Sequence, residues 1–175
     1  MKRWLLFILA VALYAVIHEG AHALVALSYG EYEAFYVRPY GLEVIFRTPV
    51  EERGGVQWAL ISGVGNLATL AIGYLLLASS GRLARLGPTS RVLAYYVTLL
   101  FLLLDAFNLS IGPFLYGGDA NGIAVGLGVS RYLVQGVFLL VLLVNRELVA
   151  QRLLPAYGVQ TTHPLFRPWI RRGKA

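Results

Sequence analysis

The sequence predicts an all-α integral membrane protein of about four transmembrane helices, with a small β-hairpin between the first and second helices. Three observations predict it. Four apolar stretches each approach the roughly 20 residues that an α-helix needs to cross about 30 Å of hydrocarbon. Hydrophobic residues make up 58% of the 175 and charged residues only 14%, where soluble domains hold about half and a quarter. The single long polar stretch, residues 30–57, contains a run that alternates with period two. These figures exclude disorder, collagen and coiled coil, and they argue against an ordinary soluble enzyme.

The first apolar stretch covers about residues 4–29 and the second about 58–79. The third covers about 92–111 and the fourth about 132–149. Inside a bilayer the backbone must satisfy its own hydrogen bonds, so each is expected to be a helix. Gly63, Gly65 and Gly73 in the second stretch suit close helix–helix contact. Between the first two spans a hairpin is expected over about 33–48. Glu33 to Val37 is aromatic and β-prone, and Arg38-Pro39-Tyr40-Gly41 supplies a turn. Leu42, Val44 and Phe46 then alternate with Glu43, Ile45 and Arg47, the period of a strand. Gly81 to Arg91 reads as a short loop. Residues 155–175 read as an extended, surface-bound basic tail, leaving 1–154 as the membrane-embedded core.

Met1-Lys2-Arg3 and the apolar run after it also resemble a signal peptide, with Ala10-Val11-Ala12 as its cleavage site. Hydrophobicity resumes directly afterwards, so the segment reads as a retained first span. Basic residues divide unevenly. Lys2, Arg3, Arg82, Arg85, Arg91, Arg146, Arg152, Arg167, Arg171, Arg172 and Lys174 share one side, and Arg38, Arg47, Arg53 and Arg131 the other. The positive-inside rule therefore predicts a multi-pass protein, of the cell membrane, with both termini cytoplasmic. The net charge of +6 is explained by these flanks, and no nucleic-acid partner is expected. Cysteine is absent, which excludes disulfides, thiolate metal ligands and a Cys nucleophile.

Within the first span stands His18-Glu19-Gly20-Ala21-His22. Ionisable groups at membrane depth are costly and usually serve a function. Spacing of i, i+4 puts both imidazoles on one helix face, about one turn apart, where one cation can take both. Glu19 is close enough to act as the base that activates water. This is the H-E-x-x-H pattern of zinc hydrolases, and the bland alternative is a polar patch bonded between helices. His163, in the tail, reads as an exposed bystander. A catalytic zinc site needs a third protein ligand, for which the candidates are Asp105, within the third span, and Asp119, after the helix-breaking run from Gly112 to Gly118.

These residues resemble the site-2 protease family of intramembrane zinc metalloproteases (peptidase family M50), in a minimal core form. The family pairs the H-E-x-x-H motif, matched by His18, Glu19 and His22, with a third-helix motif matched by Asn108, Pro113 and Asp119. Ser62-Gly63-Val64-Gly65-Asn66 resembles its second-helix Gly-and-Asn segment, and the hairpin matches its membrane-associated sheet. The resemblance spans roughly residues 4–125. It implies Zn²⁺ held by His18, His22 and Asp119, with Asp119 preferred to Asp105 on motif order, and Glu19 as catalytic base. Asn66 and Asn108 are candidates for positioning the substrate. The implied partners are the lipid bilayer and a membrane-protein substrate cleaved in or near a transmembrane helix. Two other readings remain: a non-catalytic homologue that binds membrane segments, and a metal transporter. A bis-His haem is excluded, because i, i+4 histidines cannot flank a haem from opposite faces.

Overall fold

The computed structural model describes residues 2–39, 41–115 and 118–170. The fold is mostly helical. Four helices are long and apolar enough to cross a membrane: α1 (Arg3–Ser28), α2 (Gly55–Ala78), α4 (Pro88–Ser110) and the continuous segment Arg131–Ala156. Their outward faces carry exposed Val16, Leu24, Leu67, Leu75 and Leu140, which is compatible with a multi-pass membrane protein.

α1 buries every fourth residue: Leu6, Ala10, Tyr14, His18, His22 and Ala26. That narrow stripe is a single ridge of the helix, and it carries both imidazoles inward. The helix ends at Gly30, whose φ of 73° suits glycine. Its N–H donates to Leu27 and that of Glu31 to Ala26, closing the last turn as a Schellman motif. The chain then enters β1 (Tyr32–Arg38) and β2 (Gly41–Phe46), which pair antiparallel with Phe35 opposite Val44. The hairpin thus lies where the alternation places it. Tyr40, in the expected turn, lies outside the described residues.

α2 packs against α1 through Gly65, where a Cβ would fall 2.8 Å from the His18 carbonyl oxygen and also strike the His22 ring. At Gly73 a Cβ would meet the Phe101 backbone at 3.1 Å. Both glycines are close-approach positions, whereas Gly63 has ordinary clearance. The expected loop after α2 is partly helical, α3 (Ser80–Leu83). α4 starts four residues earlier than the apolar run, because Pro88 at its first position has a φ ready for a helix and no N–H to orphan.

After α4 the chain breaks at Gly112–Phe114, and α5 (Asp119–Leu127) follows. Tyr116 and Gly117, between the two, lie outside the described residues. α5 is a short element that the hydrophobicity pattern does not announce. It lies tightly on α2: a Cβ at Gly126 would approach the Ala59 Cα to 2.7 Å, and one at Gly122 the Ser62 Cβ to 2.7 Å. α6 (Arg131–Leu148) runs on through a π-helical turn, Val149–Leu153, into α7 (Leu154–Ala156). Its polar groups tie the bundle together. Asn145 donates to the Leu102 carbonyl at 2.6 Å and accepts from the Tyr74 hydroxyl at 2.6 Å, while Gln135 donates to the Ser110 carbonyl at 2.8 Å.

The tail expected to be extended folds back instead. Arg146 donates to the carbonyls of Pro164, Leu165 and Arg167, and its guanidinium stacks on Trp169 at 4.2 Å. Glu147 accepts from the Trp169 and Ile170 amides. One ion pair at the end of α6 supplies the partners the tail backbone lacks. His163 is exposed, and its ring accepts from the Leu165 amide within its own turn. Arg171, Arg172 and Lys174 lie outside the described residues.

Candidate metal centre

Three elements meet around the buried stripe of α1. His18 and His22 come from that helix, Asp119 from the start of α5, and Asn66 from α2. His18 Nε2 lies 3.1 Å from His22 Nε2. Asp119 Oδ2 lies 3.3 Å from the first and 3.5 Å from the second. Four ligands set tetrahedrally at about 2.0–2.1 Å from a zinc ion stand roughly 3.3 Å apart. Among the described residues, His18, His22 and Asp119 form a group able to hold a metal ion.

The far nitrogens say which atoms are free to bind. His22 Nδ1 sits 2.5 Å from the Ile61 carbonyl oxygen, which can only accept. The proton is therefore on Nδ1 and the lone pair on Nε2. His18 Nδ1 sits 3.1 Å from Asp105 Oδ1 without hydrogen-bond geometry, and the attraction of that carboxylate favours the proton on the same nitrogen. Two lone pairs and a carboxylate oxygen thus face a common point, an arrangement that repels itself unless a cation occupies the middle. Metal-binding histidines commonly donate their second N–H to a carboxylate or carbonyl in this way.

This geometry assigns different positions to the two candidate acids. Asp119 joins the ring nitrogens, and its side chain is one-third exposed, so it borders open space. Asp105 is fully buried on the opposite side of His18. Both its oxygens are engaged, one by the Tyr14 hydroxyl and the other by the Thr69 hydroxyl. It therefore lies beside the His18 ring and outside the group able to hold a metal ion.

The two asparagines also sit in this network. Asn66, fully buried, donates from Nδ2 to Asp119 Oδ2 at 2.9 Å, fixing the carboxylate that α5 presents. Asn108 Nδ2 donates to the Tyr14 hydroxyl at 3.3 Å, one step further out. Neither lines the adjoining cavity. Tyr14 and Thr69 are residues that motif reading missed. For Tyr14 a signal existed, since it stands four residues before His18 on the same stripe. Thr69 had none, because its partner is 36 positions away.

Beside the three converging atoms opens a cavity of about 480 Å³. Glu19, His22 and Asp119 form its floor, and Leu42, Val44 and Phe46 of β2 form one wall. Trp58 and Ser62 of α2 and Gly122 and Val125 of α5 close it. Glu19 is half-buried, with its carboxylate beside the Val44 backbone amide. At the rim Arg53 stacks on Phe46 and Trp58, 5.0 and 4.7 Å from the ring centres. The cluster thus borders an open cavity, though His18 and His22 sit on a helix long and apolar enough to span a membrane.

The fold and site together define a class no finer than a helical chain, compatible with a membrane, that carries a largely buried cluster able to hold a metal ion beside a cavity. Compared with known protein families, with curated proteins and with solved structures, the chain matches none.

Proposed function

We propose that the chain is an intramembrane zinc metallopeptidase of the site-2 protease kind. The observation that carries this reading is the convergence of His18 Nε2, His22 Nε2 and Asp119 Oδ2 at 3.1–3.5 Å on the floor of a cavity that Glu19 also lines. His18, His22 and Asp119 would hold Zn²⁺, which a donor set of two imidazoles and a carboxylate suits. When bound, the metal polarises the scissile carbonyl and makes water a nucleophile near neutral pH. Asp105 and the Ile61 carbonyl keep the imidazoles in the tautomer that binds. Asn66 holds Asp119. Glu19 takes the proton from the attacking water and passes it to the leaving amine.

The substrate is a membrane protein cut in or near a transmembrane helix. A helix hides its peptide bonds, so the segment unwinds before cleavage. β2 stands along the cavity and offers an extended backbone for the unwound strand to pair with. On the charge rule we place both termini on the cytoplasmic side of the cell membrane.

The test is cleavage of a library of single-span peptides, labelled at both ends and reconstituted with the full chain. Wild type cuts a subset, and Glu19→Gln cuts none while still binding zinc. A Glu19→Gln variant that cuts at the wild-type rate contradicts the assigned base. A wild type that binds zinc and cuts nothing favours the non-catalytic reading.

A further inference from the structure

A second cavity, of about 580 Å³, lies at the end of the bundle where α1 and α4 begin and the α6–α7 segment ends. It shares no lining residue with the cavity at the metal centre, and a ligand bound in it is independent of the peptidase reading. Arg3 and Arg91 bring two guanidinium groups to its wall, and no carboxylate lines it. Arg91 is held in place by a 2.6 Å hydrogen bond from Nη2 to the Tyr157 carbonyl, which uses one of its five N–H donors. Arg3 makes no ion pair or hydrogen bond among the described residues.

Three tyrosines, Tyr95, Tyr96 and Tyr157, line the same space. Tyr157 is 5% exposed, packed at 5.5 Å against Tyr95, and its buried hydroxyl has no hydrogen-bond partner. A buried hydroxyl without a partner is costly, and such groups are rare. Tyr157 itself borders a cavity that is cationic and otherwise largely apolar, lined by Leu86, Pro88 and Val92. The first turn of α4, at this end, has no side-chain cap, and the amino-terminal end of a helix favours negative charge. An anion with a hydrogen-bond acceptor satisfies all of these at once.

We propose that this cavity binds the phosphate of an anionic phosphoester. Arg3 and Arg91 contact its oxygens, the Tyr157 hydroxyl donates to it, and the apolar wall covers whatever glycerol or acyl portion is attached. Two sources share that chemistry, a phospholipid headgroup and a soluble phosphate ester.

Binding is measured on the full chain in detergent micelles with three probes: dioleoylphosphatidylglycerol, dioleoylphosphatidylcholine and glycerol 3-phosphate. Arg3→Gln removes one charged donor and is expected to weaken binding about tenfold. Tyr157→Phe keeps the ring and removes only the hydroxyl. It is expected to weaken binding roughly threefold to tenfold and to leave the thermal stability of the unliganded chain unchanged or raised. Preference for the glycerol lipid over the choline lipid, lost in both variants, assigns the site to lipid. Glycerol 3-phosphate binding with the same losses, and no lipid preference, assigns it to a soluble ester. The proposal is overturned if neither anionic probe binds better than the choline lipid, or if Tyr157→Phe binds as wild type does.

Discussion

His18 and Asp105 are linked through the nitrogen that faces away from the ligand cluster: Nδ1 lies 3.1 Å from the buried Oδ1. The contact is electrostatic, without hydrogen-bond geometry, and it favours the proton on Nδ1 and the lone pair on Nε2. Asp105→Asn keeps the shape but weakens that contact, and it is expected to lower zinc affinity roughly 10–100-fold without abolishing binding at saturating metal. Tyr14→Phe and Thr69→Val, which each remove one donor to Asp105, shift affinity in the same direction by less. Competition against a chelator of known affinity checks the order. Equal loss in Asp105→Asn and Asp119→Ala contradicts it.

Asn66 anchors Asp119 from α2. Asn66→Leu leaves a carboxylate with no amide to hold it, so zinc is expected to bind about tenfold more weakly or worse. A cleavage assay at saturating zinc separates this effect from loss of a substrate contact, because excess metal restores activity in the first case only.

Gly65 brings α2 against the back of the histidine stripe. Gly65→Ala puts a methyl where the His22 ring and the His18 carbonyl already stand. Overpacking of this kind costs about 1–3 kcal/mol, and here it also displaces a ligand. Thermal unfolding in detergent and zinc content are both expected to fall. Gly20→Ala, on the same α1 turn as the motif but with open space around it, is the control that leaves both unchanged.

The chain has no cysteine, so single replacements report sidedness cleanly. Ser90→Cys, before the body of α4, and Glu33→Cys, on β1, are both exposed positions. With cytoplasmic termini, an impermeant maleimide added outside intact cells labels the second and not the first. The reverse pattern contradicts the charge-based orientation.

Much of the fold was legible because hydrocarbon imposes a simple rule. Runs of about 20 apolar residues must become helices, and all four did. Leu42 to Arg47 alternated strongly enough to mark β2. What stayed hidden depends on partners distant in sequence. α5 is short and glycine-rich, and only its fit against Ala59 and Ser62 gives it a place. The tail looked unattached because Arg146 and Glu147 read as ordinary flanking charges, whereas they bind its backbone. At the site, His18, Glu19 and His22 were visible from spacing alone. Residue type alone left Asp105 and Asp119 open, since both are carboxylates near membrane depth, and only the motif order of the resemblance preferred Asp119. The difference is which nitrogen of His18 each one faces, a property of helix packing and not of motif.

The most direct measurement is the zinc content of the purified full chain beside His22→Ala and Asp119→Ala, with Glu19→Gln as the folded control. The account predicts about one zinc per chain in wild type and Glu19→Gln, and its loss in both ligand variants. Zinc retained at the wild-type level without His22 or without Asp119 would contradict the three-ligand centre and the peptidase reading built on it.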